Sequence, residues 1–169
     1  MNEIINRVAN SPLVSLDLEE FHTKGERVSF DLSDFLYQGL VVKEKEFRNS
    51  LKEMDWANFK GKYVAVFCST DAIVPTWAYM LAVTYLHQVA KETVVGDMDD
   101  LEKFLFQKAL ADLDMEIYRD KPVVVKGCSK VKVPLYAYGQ VTNLLMGVAR
   151  SIMYGEPCST VPLYKRPKQ

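Results

Sequence analysis

The run from Lys62 to Asp71 leaves few folds open to this chain. Tyr63 to Phe67 are apolar, aromatic or β-branched and read as a strand that closes on Cys68. A polar turn, Ser69-Thr70-Asp71, follows, and Pro75 opens an apolar helix expected to reach about Ala90. Proline suits that first turn because the amide it lacks has no partner inside a helix. The unit recurs. Glu92–Val95 reads as a short strand ending at Gly96-Asp97, with Asp99 or Asp100 capping a helix to about Leu113. Pro122–Lys126 is apolar without alternation, as expected of a parallel strand covered on both faces. Pro134 then opens a helix expected to run to Tyr154 and to stop at Gly155.

Ahead of these units, Val14-Ser15-Leu16-Asp17-Leu18 is echoed by Val28-Ser29-Phe30-Asp31-Leu32. Both alternate apolar and polar residues, and the linker between them, His22 to Glu26, is polar and holds a glycine. A β-hairpin is the expectation. An amphipathic helix over Leu40–Met54 follows it. The expected fold is therefore α/β, a three-layer sheet with a parallel βαβαβα core and an N-terminal antiparallel hairpin. Residues 1–169 are expected to form a single domain, with an N-terminal arm over 1–12 and an extended tail over 156–169.

Totals exclude several classes. The formal net charge of −1 gives no whole-molecule field for nucleic acid or an anionic membrane. No apolar run approaches the roughly 20 residues that cross a bilayer, and the first residues lack the layout of a signal peptide. Three cysteines, an odd number, make a poor disulfide framework and point to the reducing cytoplasm. The strand-to-helix turns lack the glycine pattern of a phosphate loop, so no nucleotide is expected. The basic end, Lys165, Arg166 and Lys168, reads as a solvated tail, with an acidic protein partner as the alternative.

The cysteines are the functional lead, because all three stand in Cys-Ser contexts: Cys68-Ser69-Thr70, Cys128-Ser129 and Cys158-Ser159-Thr160. Strands of a parallel sheet end on one edge, which would gather Cys68 and Cys128, with Asp71 and Asp97 beside them. Cys158 would join only if its proline-rich loop travelled back across the domain. Three readings compete for this edge. The thiolates hold zinc, iron or an iron–sulfur cluster; or one is a nucleophile or sulfur carrier, although neither His22 nor His87 is placed as its base; or all three are small buried fillers. No reaction is legible.

Four blocks also carry a resemblance: Asn6 to Ser11, Asp71 to Met80, Lys126 to Ser129, and Tyr154-Gly155-Glu156-Pro157-Cys158-Ser159-Thr160-Val161-Pro162-Leu163-Tyr164. Together they resemble a bacterial domain-of-unknown-function family across nearly the whole chain. The resemblance implies no activity, and implies a link to iron–sulfur assembly only by gene association. It favours a metal- or sulfur-handling accessory protein using Cys68, Cys128 and Cys158. The order of elements is also similar to the STAS-type regulatory fold, which implies instead a non-enzymatic interaction module with structural cysteines.

Overall fold

A computed structural model describes residues 12–127 and 130–167. The expected N-terminal arm lies outside them. The chain divides into two compact units. Unit 1 takes residues 1–23 and 105–169, and unit 2 takes residues 24–104.

Unit 2 holds a three-stranded parallel sheet of β2 (Arg27–Asp31), β3 (Tyr63–Phe67) and β4 (Glu92–Val95), in that order. Helices α1 (Glu44–Glu53) and α2 (Thr76–Leu86) connect the strands. Phe30, Leu32, Phe47, Leu51, Val64 and Leu86 are among the side chains of its core, all 2% exposed or less. Aromatic packing finishes the core: the Phe30 ring lies 5.3 Å from Phe35 and 5.7 Å from Trp56, both stacked.

Unit 1 holds a four-stranded sheet, β1 (Val14–Asp17), β5 (Pro122–Lys126), β6 (Ser151–Glu156) and β7 (Ser159–Lys165), in that order. The first three are parallel and β7 is antiparallel. Helix α4 (Leu135–Met146) joins β5 to β6, and α3 (Met98–Ala111) carries the chain out of unit 2. Its core gathers Leu16, Leu18, Phe106, Leu110, Val123, Leu145 and Ile152.

Two expectations need correcting. No N-terminal hairpin forms: β1 pairs with β5 and β2 with β3, both parallel, so the two echoing strands belong to different sheets. Each keeps its own alternation, with Leu16 and Phe30 buried and Ser15 and Ser29 exposed. Alternation fixes which face is covered, not which neighbour supplies the hydrogen bonds. The one expected sheet is accordingly two. Nor does the last helix reach Tyr154. It ends at Met146, and the following residues are β6 and β7, so the expected extended tail is a paired strand. Val148 and Ile152 continue the helical spacing by coincidence.

The two units follow one plan. A counterpart stands 59 positions on: Phe47 and Phe106, Val64 and Val123, Pro75 and Pro134, Tyr79 and Tyr138, Leu86 and Leu145, Gly96 and Gly155. Backbone hydrogen bonds repeat at the same offset. Gly61 N donates to Val89 O at 2.8 Å, and Asp120 N to Val148 O at 2.9 Å. Gly61 and Asp120 also share a left-handed backbone, φ 70° and 58°, a conformation glycine and aspartate tolerate best. The leading strands match at an offset of 14 (Asp17 and Asp31, Leu18 and Leu32). Asp17 and Asp31 each accept from the amide two residues on, and Asp55 and Asp114 do the same ahead of β3 and β5. Each aspartate thereby starts a single 3-10 turn.

Candidate functional site

The strand-end edge of unit 2 carries Cys68. Its thiol lies 3.4 Å from the Thr70 hydroxyl and 3.5 Å from the Thr70 carbonyl oxygen, and the residue packs partly against the core. Beside it, Asp31 accepts from the amides of Ser33 at 2.9 Å and Ser69 at 3.0 Å. The Ser69 hydroxyl lies 3.1 Å from that of Ser33. Burial raises the Asp31 carboxyl, but the hydrogen bonds from Ser69 and Ser33 outweigh it and hold the pKa below the usual carboxylate value. Burial raises the Tyr79 phenol above its ordinary value, with the charges of Cys68 and Asp31 adding to it. Asp31 thus staples the β3–α2 loop to the end of β2. Asp71 is exposed, and Asp97 accepts from Asp100 N at 2.9 Å at the start of α3.

The other cysteines belong to unit 1. Cys158 is exposed, in the two-residue turn Pro157-Cys158 between β6 and β7. Ser159 begins β7, and the Thr160 hydroxyl lies 3.7 Å from the Met153 sulfur. Cys128 and Ser129 lie outside the described residues. Cys68 and Cys158 are free thiols on separate units. Among the described residues, no three histidine, cysteine or acidic side chains form a group able to hold a metal ion. The switch point invoked to gather ligands is missing too, because neither sheet reverses its strand order.

What unit 1 does build at its strand ends is an apolar pocket of about 510 Å³. Val125 of β5 lines its base, Val133, Leu135, Tyr138 and Thr142 line the side of α4, and Tyr154 and Leu163 come from β6 and β7. The Tyr138 and Tyr154 rings meet edge to face, 5.9 Å apart at 79°. The Thr142 hydroxyl donates to the Tyr138 carbonyl at 2.7 Å, which turns its methyl group toward apolar neighbours. Leu163 reaches the pocket through a bulge: Ile152 pairs with Tyr164 and Met153 with Pro162, which leaves Leu163 without an opposite residue. Gly127 makes room, since a Cβ there would stand 3.0 Å from the Tyr138 hydroxyl and 3.3 Å from Leu18 Cβ. At the rim, Leu135 is 87% exposed.

None of these lining residues was singled out by the cysteine pattern. The available signal was the 59-residue correspondence, which sets Cys68 against Gly127 and Val95 against Tyr154, and so marks where the two copies of one edge diverge.

Among the described residues, no helix is long and apolar enough to cross a membrane. No curated protein and no solved structure matches the chain. A family profile does match, over residues 2–166. The chain belongs to the family described as protein of unknown function DUF2480.

Proposed function

We propose that this protein is a non-enzymatic binding module whose working site is the apolar pocket of unit 1. The occupant is an uncharged small molecule with an apolar body. The observation that carries this reading is the lining: no charged side chain contributes to it, and aliphatic groups and two tyrosine rings supply its walls. Its volume falls in the range of about 300–1,000 Å³ typical of small-molecule sites. A charged ligand entering such walls would lose hydration with nothing to replace it. The exposed Leu135 at the mouth supports the same reading, because covering it removes apolar surface from water.

The rival is the metal- or sulfur-handling reading, with zinc, iron or an iron–sulfur cluster held by Cys68, Cys128 and Cys158. Its support is two free thiols, one of them fully accessible. One set of measurements separates the readings. Titration with the neutral fluorophore N-phenyl-1-naphthylamine should give saturable enhancement in the wild type and at least a severalfold weaker response in Leu135→Ser. That substitution should leave the melting temperature unchanged, since surface changes of this kind cost within about 0.5 kcal/mol. An absent response, together with stoichiometric iron, zinc or labile sulfide in anaerobically purified protein, would contradict the proposal and favour the rival.

A further inference from the structure

Paired core positions, paired turns and paired backbone hydrogen bonds mark the two units as copies of one ancestral unit. Buried positions keep their character because packing demands it, so the informative positions are exposed ones. Lys60, Lys62 and Lys91 of unit 2 are matched by Arg119, Lys121 and Arg150 of unit 1. All but the half-buried Lys62 are exposed. The surface lysines of α1 are not kept in this way: Lys45 and Lys52 face Phe104 and Ala111 in the register of α3. Positive charge has therefore been held on one edge, where the parallel strands begin, while it drifted on a neighbouring helix.

In unit 2 that edge is compensated. Lys62 pairs with Glu26 at 2.9 Å, and the Lys91 ammonium lies 5.2 Å from the Tyr63 ring centroid. In unit 1 it is not. Ser151 stands where unit 2 has Glu92, and β7 brings two more cations, Lys165 and Arg166. Arg150 N donates to Lys121 O and Arg166 N to Arg150 O, each at 2.9 Å, so Lys121, Arg150 and Arg166 stand in one line across three strands. The Arg166 guanidinium is fixed by the carbonyls of Val148 and Ala149, at 2.8 and 3.1 Å, and by the Asp120 carboxylate. Lys121, Arg150 and Lys165 make no ion pair among the described residues. Arg150, Ser151, Lys165, Arg166 and Pro167 surround a cavity of about 530 Å³.

We propose that this strand-start cavity of unit 1 binds an oxyanion of the phosphate class. Arg150 and Lys165 supply the uncompensated charge, the Ser151 hydroxyl supplies a neutral donor, and the anchored Arg166 fixes the wall between them. Guanidinium groups match the geometry of a phosphate and bind it by paired charge-assisted hydrogen bonds. The site is distinct in place and chemistry from the apolar pocket at the opposite strand ends, and the two stand or fall separately.

The test is calorimetric titration of the full chain with pyrophosphate at low ionic strength. Saturable binding is expected in the wild type, weaker near 0.15 M salt, where screening sets in over about 8 Å. Arg150→Gln should lower affinity about tenfold or more, and Lys45→Gln should leave it unchanged. Arg150 holds its neighbours through its backbone, so the variant should keep its melting temperature; if it does not, Lys165→Gln carries the comparison. Titration with ADP assigns the source. Affinity well above that for pyrophosphate means the anion arrives on a nucleoside, and equal affinity means the bare anion is recognised. No saturable binding of pyrophosphate, equal weakening in Lys45→Gln, or binding only to a single-stranded oligonucleotide would overturn the proposal.

Discussion

At the scale of single residues, aspartates set the local geometry. Asp17, Asp31, Asp55 and Asp114 each accept from the amide two positions on and start a turn, but Asp31 also accepts from Ser69 across the sheet end. Replacing a capping aspartate by alanine costs about 1 kcal/mol. Asp31→Ala should therefore exceed Asp17→Ala by roughly another 1 kcal/mol, the worth of one more charge-assisted hydrogen bond, in urea unfolding. The pH dependence follows from the same contacts. A carboxyl whose folded pKa lies below its unfolded value adds stability that is full above about pH 4. That stability is lost as the pH falls through the lower folded value, because the unfolded chain then binds the proton first. Asp31→Asn should accordingly flatten the acid limb of the stability curve below pH 4, whereas an unchanged limb would remove Asp31 from this role.

At the scale of elements, identity was legible and pairing was not. The strands Glu92–Val95 and Pro122–Lys126 are found where the sequence places them, and the strand over Tyr63–Cys68 ends one residue earlier, at Phe67. Runs of β-branched residues next to glycine or proline leave little choice. The partner of a strand is a different kind of fact, since it depends on surfaces distant in the chain. That is why Val14–Asp17 and Arg27–Asp31 were readable as strands and misread as neighbours. The end of α4 was misread because Val148 and Ile152 happen to keep its spacing, whereas the counterpart helix already stops at Leu86. Gly155 marks the true element there. Its φ is 123°, and a Cβ would stand 2.6 Å from Ser159 O, in the β6–β7 hairpin. Gly155→Ala should cost about 1–3 kcal/mol, read as a fall in melting temperature. A neutral result would show that the hairpin adapts, and that its turn is not held by this glycine.

At the scale of the whole molecule, one plan is used twice and closed differently. Each unit pairs a leading strand with the first strand of its own repeat, so the chain order nests one unit inside the other: β1 belongs with β5, and β2 with β3. Unit 1 alone adds β7, and with it the Leu163 wall of the apolar pocket. The cysteine lead failed to anticipate this because it ranked residues by reactivity, while the pocket is made of groups whose only chemistry is exclusion of water. The glycine at 127 and the tyrosine at 154 are the positions where shape, not reactivity, separates the copies.

The most direct measurement is methyl-detected NMR during titration with N-phenyl-1-naphthylamine. Saturable shifts confined to Val125, Val133, Leu135 and Leu163, with the counterparts Val66 and Val74 of unit 2 unmoved, are the predicted result. Shifts centred on unit 2, or none at concentrations that saturate the fluorescence, would contradict the assignment of the apolar pocket as the working site.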